Sequence, residues 1–174
     1  KNLESNALQI FDKMKKIHGM DSRERLLLQI AVVLHNCGKF ISLEDVSECA
    51  FHIIMATEII GLSHSEREMI AYTVRFNTSP FLYYREFTQE ADISKEDYLT
   101  IAKMTAILRL ANAMDRTHKQ KCQDVTMALK DRELKITVTS QEDLSLEFGT
   151  FREKAEFFEE VFNVHPTIRQ KKSI

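Results

Sequence analysis

Three short segments, "DSRE" at 21–24, "SLED" at 42–45 and "SHSE" at 63–66, each stand directly before an apolar run with helical spacing. A Ser or Asp followed three residues later by an acidic residue satisfies the orphan N–H groups of a helix start from both directions. Asp21 with Glu24, Ser42 with Asp45 and Ser63 with Glu66 therefore predict three helix starts in close succession. Behind the first, Leu26, Leu27, Ile30, Ala31, Val33 and Leu34 make a broad apolar face, expected to be largely buried, on a helix ending at Gly38. The second opens "VSECAFHIIMATEII" as far as Gly61 and the third "REMIAYTVRF". Such a succession, joined by short connections, predicts an all-α lobe.

The flanks extend that reading. Leu3, Ala7, Ile10, Phe11, Met14 and Ile17 recur at steps of three and four, predicting an amphipathic helix stopped by Gly19. The segment "NTSPFLYYREFTQEADI", with Pro80 and several aromatics, reads as a long loop, and a connection of that length points to a lid or an interface. A further helix is predicted from about Lys95 to Arg116, with Leu99, Ala102, Met104, Ala106, Leu108, Leu110 and Ala113 on its buried faces. After Lys121 the period changes to two. "DVTMAL", "ELKITVTS" and "DLSLEF" alternate apolar and polar residues, with "KDRE" and "SQED" as turns, and predict an antiparallel meander. The run "FREKAEFFEEVFN" predicts a helix covering its apolar face, and the tail "VHPTIRQKKS" an added edge strand. The expected class is mainly α: residues 1–121 form a helical domain, and residues 122–174 a small three-stranded antiparallel sheet covered by one helix and packed on it.

Composition excludes several functions. With 44% hydrophobic and 29% charged residues the chain is neither disordered nor membrane-spanning. A formal net charge of −2 gives no global field for nucleic acid, so any polyanion site must be local. Cys37, Cys49 and Cys122 form no CxxC pair, which argues against a disulfide framework or zinc knuckle and favours a reducing cytoplasm. Four glycines leave no phosphate-cradling loop. The chain begins in what reads as mid-helix, as a piece of a longer polypeptide would.

"AVVLHNCGKF", residues 31–40, carries a His off the end of an apolar helix. A helix ending in His-Asp, with a second Asp on a later helix, resembles the HD metal-phosphohydrolase site, whose divalent ion lowers the pKa of bound water. Here His35 is followed by Asn36, Asp115 in "LANAMDRTH" takes the distant position, and residues 1–17 offer no first His. The blocks "LHNCGKFISL", "IIMATEIIGLSHSEREMIAYTVRFN" and "ILRLANAMDRTHKQK" together resemble the C-terminal region of the Ppx/GppA family of exopolyphosphatases and guanosine pentaphosphate phosphatases. That resemblance implies an HD-like helical domain and a small α/β element. It also implies hydrolysis of phosphoanhydride bonds in N-terminal actin-like domains of the same polypeptide, a homodimer, and polyphosphate or a pppGpp-like anion as ligand. Neither a membrane nor a specific nucleic acid is an expected partner.

The departures from the family pattern are chemical. Asn36 stands for an Asp, "VSECAF" with Ser47 and Cys49 for a His-rich run, and Asn77 for the His of an Arg-Tyr-His block. A neutral amide is a weak ligand for a divalent ion. The expectation is a degenerate metal site with no catalytic residue and no cofactor in this fragment. The alternatives are a metal-dependent phosphohydrolase with an Mg or Mn ion held at His35 and Asp115, and a purely structural dimerisation module. His35 also reads as a helix-end histidine bonded to a carbonyl, and Asp115 as an ion-pair partner of Arg109, Arg116 or His118. His52 is expected in core or interface packing, and Cys37 and Cys49 as inert, buried thiols. The basic run Arg109, Arg116, His118, Lys119 and Lys121 suits phosphate oxygens, or complements a helix C-terminal dipole.

Overall fold

A computed structural model describes residues 2–114 and 124–172. The chain divides into two compact units, one comprising residues 1–21 and 106–174, the other Ser22–Thr105. The expected boundary between residues 121 and 122 lies outside the described residues.

The second unit is all helical: α2 (Ser22–Leu34), a 3-10 turn (Cys37–Phe40), α3 (Val46–Ala56), α4 (His64–Arg75), α5 (Tyr84–Glu90) and the first part of α6 (Lys95–Ala113). Of the predicted starts, the third is a complete capping box. Ser63 Oγ accepts from Glu66 N, and Glu66 Oε2 accepts from Ser63 N at 2.7 Å. At the second, Ser42 Oγ accepts the N–H groups of Glu44 and Asp45, while Asp45 makes no side-chain cap. α3 stops at Ala56, short of Gly61, because Thr57 turns extended and its hydroxyl takes the Ile53 carbonyl at 2.6 Å. Similarly, α2 stops at Leu34, and the residues up to Gly38 form a turn.

Inside this unit Phe76, Phe87, Ile70, Leu27 and Leu28 are fully buried. The aromatic connection contains α5, which drives Phe87 against Tyr72 and Phe76 at centroid distances of 4.7 and 5.8 Å. Phe81 packs on Phe76 at 5.0 Å, so the segment sends Phe81 and Phe87 inward while most of its other residues are exposed, and of its rings Tyr83 is the most exposed. Not every expected burial holds. Leu26 and Val33 on α2 are exposed, as is Leu99 on α6, because each helix buries a stripe narrower than its apolar surface.

The first unit holds α1 (Asn2–His18), the end of α6, β1 (Asp124–Lys130), β2 (Glu133–Thr139), α7 (Ser145–Phe162) and β3 (His165–Lys171). Leu3, Ala7, Ile10, Phe11 and Met14 are buried on α1 as the spacing predicts, whereas Ile17 is exposed. β1 and β2 pair antiparallel with Val125 opposite Val138 and Leu129 opposite Leu134. Asp131 and Arg132, at φ 48° and 61°, make the two-residue turn whose left-handed backbone conformation matches the right-handed twist of the flanking strands.

The sheet is mixed rather than purely antiparallel. β2 runs parallel to β3, with Ile136 opposite Ile168, and α7 is the crossover between them. The predicted strand "DLSLEF" is the start of α7: Asp143 Oδ1 accepts from Ser145 N at 2.9 Å, and Phe148 N bonds back to Leu144 O. The third strand is the tail segment instead. Among the described residues no helix is long and apolar enough to cross a membrane.

Candidate functional site

His35 sits in the turn after α2, where its ring is half-buried and Nδ1 lies 2.6 Å from Val32 O. A carbonyl can only accept, so Nδ1 carries a proton, and Nε2 is buried. This contact orients a metal-bound imidazole and ties down a helix-end histidine equally well. Asn36 caps the 3-10 turn by position but makes no side-chain cap bond.

Gly38 joins this turn to α3. A Cβ there would overlap Val46 O and stand 2.7 Å from Ala50 N, so the backbones meet where only glycine fits. α3 in turn meets the end of α4. Ser47 Oγ is 3.1 Å from Ser79 Oγ, and Arg75 Nε donates to Glu48 Oε2 at 2.7 Å. Arg75 Nη1 also donates to Glu90 at 3.1 Å, while its guanidinium lies 5.2 Å from the Phe51 ring centre. Partial burial opposes the Arg75 charge, but Glu48 and Glu90 outweigh it and hold its pKa above the ordinary value. Asn77 is buried, and its Oδ1 finds no hydrogen-bond partner among the described residues.

The chain therefore converges at three of its sequence blocks, "HNCG", "VSEC" and the end of "VRFNTS". The carboxylates there are committed to a cation. Arg75 is part of the block that ends in Asn77, but its grouping with Glu48 and Glu90 is invisible in the sequence because the three lie far apart in it. His52 is exposed rather than packed in a core, with Nε2 3.5 Å from Glu48. Its neighbours in sequence are apolar, but the α3 stripe that faces inward runs through Ala50 and Ile54. Cys37 and Cys49 are free and half-buried, and burial pushes the Cys37 thiol up, away from thiolate chemistry.

The remaining predicted residues divide between two places. Arg109 lies on α6 in the first unit with its guanidinium 4.7 Å from the Phe157 ring centre, and burial lowers its pKa. Asp115, Arg116, His118, Lys119, Lys121 and Cys122 lie outside the described residues. The histidine of the opening helix, His18, is its last residue. It accepts Met20 N–H at Nδ1 and bonds Phe11 O through Nε2, at 2.9 and 2.8 Å, so both nitrogens serve the fold.

The second unit also carries an apolar surface groove. α2, α3 and the segment after α3 enclose a groove of about 580 Å³ lined by Leu26, Ile30, Val33, Ile53, Ile54 and Ile59. Residues 1–150 match the family model described as Ppx/GppA phosphatase, domain III. No curated protein matches the sequence.

Proposed function

The chain belongs to the Ppx/GppA phosphatase family through its domain III, and on that premise we propose that it is a non-catalytic, HD-like module of a phosphoanhydride hydrolase. Its roles are to bind polyphosphate or a phosphorylated nucleotide such as pppGpp, and to bring subunits together. The chemistry of the parent resides in other domains of the same polypeptide, in a cytoplasmic enzyme.

The observation that carries the reading is the ion pair of Glu48 with Arg75, in the cluster where Ser47 and Asn77 stand for metal-capable residues. A carboxylate held by a guanidinium is a poor candidate for a divalent ion, and the neighbouring amide and hydroxyl bring no charge. Anion binding is assigned to Arg109, Arg116, His118, Lys119 and Lys121, whose clustering suits a chain of phosphates. Salt-sensitive polyphosphate binding by this chain, weakened in Arg116→Glu and Lys119→Glu, is the expected result. Equal binding by wild type and variants would refute the assignment.

The metal-dependent rival, an Mg or Mn ion at His35 and Asp115, draws on the His35 contact with Val32 O, of the kind that orients a metal-bound imidazole. Stoichiometric Mg or Mn in purified protein, lost in His35→Ala, would favour it.

A further inference from the structure

We propose that β3 is the association edge of this domain, pairing antiparallel with β3 of a second copy so that the two sheets become continuous. The proposal rests on the subunit association proposed above and names its surface.

β3 is the terminal strand of the sheet order β1-β2-β3. His165 N donates to Arg132 O, and Lys171 O accepts from Ser140 N, so the odd-numbered residues turn their backbone groups toward β2. Pro166, Ile168 and Gln170 turn theirs outward. Along that edge, between β3 and α7, lies a cavity of about 340 Å³ lined by Phe151, Ala155, Glu156, Glu159, Pro166 and Ile168. The edge thus combines outward backbone groups, paired by no described strand, with a space for the side chains of an added strand.

Charge selects the occupant. At the N-terminal end of β3 stand two carboxylates, Glu159, 2.8 Å from His165 Nδ1, and Glu156, with Arg152 on the same cavity, while Arg169 and Lys171 make the C-terminal end basic. Antiparallel pairing with itself is the arrangement that sets Arg169 and Lys171 of each copy against Glu156 and Glu159 of the other. With Ile168 on the two-fold axis, Ile168 faces its counterpart and exchanges two backbone bonds with it. Gln170 N–H meets the Pro166 carbonyl of the second copy, and Lys171 lies across from His165 and within reach of Glu159. Pro166 lacks an N–H, so each Pro166–Gln170 pair carries one bond instead of two. This register tolerates that loss, and the proline blunts pairing in others.

Sedimentation equilibrium of the 174-residue chain tests the proposal, with circular dichroism to verify folding of each variant. The wild type is expected to dimerise, Lys171→Glu and Glu159→Lys each to weaken the dimer about tenfold, and the combined charge swap to restore it. If the wild type stays monomeric, both this surface and the proposed subunit association fail. A dimer indifferent to all three variants overturns the β3 surface alone and leaves association to another face. Weakening by both single variants without recovery in the swap overturns the Glu159–Lys171 register.

Discussion

Arg23 grips Glu66 through two hydrogen bonds, Nε to Oε1 at 2.6 Å and Nη2 to Oε2 at 2.9 Å, and its Nη2 also reaches Gly61 O at 2.6 Å. Glu66 is at the same time the return arm of the α4 capping box, so one carboxylate locks the start of α4 to the start of α2. Hydrogen bonding from Arg23 first, and from the Ser63 backbone second, lowers its pKa from 4.5 to about 2.

The sign of the pH dependence follows from that shift. The folded state holds Glu66 ionised more tightly than the unfolded chain does, so the stabilisation is complete above pH 4.5 and lost as pH falls toward 2. Glu66→Gln is expected to cost about 1 kcal/mol at pH 7, where the exposure of Arg23 limits the effect. Urea denaturation at pH 7 and pH 2 measures it: the gap between wild type and variant should close at the lower pH.

Gly38→Ala is expected to destabilise the chain by about 2 kcal/mol or more, because the new methyl meets backbone atoms of Val46 and Ala50 that have no flexible end to yield. The same substitution at Gly149, where an added Cβ meets nothing within 4 Å, serves as the control and should stabilise α7 slightly. Thermal melts of the two variants should move in opposite directions.

The aromatic connection divides its rings between core and surface. Phe87→Ala removes a fully buried ring in contact with Tyr72, Phe76 and Tyr98, at an expected cost of about 3–5 kcal/mol. Tyr83→Ala, at a ring that is 57% exposed, is expected to cost less than about 1 kcal/mol. Equal losses in chemical denaturation would mean that Tyr83 is anchored in a way its exposure conceals.

Helix starts were the most legible part of this sequence, since a cap such as Ser63 with Glu66 is a local contact whose partners are three residues apart. The helical period of Leu3 to Met14 was equally plain. "DLSLEF" misled because Leu144, Leu146 and Phe148 satisfy both a two-residue alternation and the opening turn of a helix. The side chain of Asp143, two residues before Ser145, decided between them. At the candidate site, His35 and Asn36 drew attention through their neighbours in sequence. The clamp of Arg75 on Glu48 and Glu90 gave no such signal.

By itself, then, the sequence determined the helical lobe, the hairpin at Asp131–Arg132 and the family resemblance, all of which depend on residues close together in the chain. Only the tertiary structure decided that β3 lies parallel to β2 and that Gly38 abuts α3, and it likewise decided that Glu48 is matched by a cation. Each of these is a choice of partner between distant segments. Such choices are set by which faces bury together and which charges they bring along, and no local period or cap encodes them.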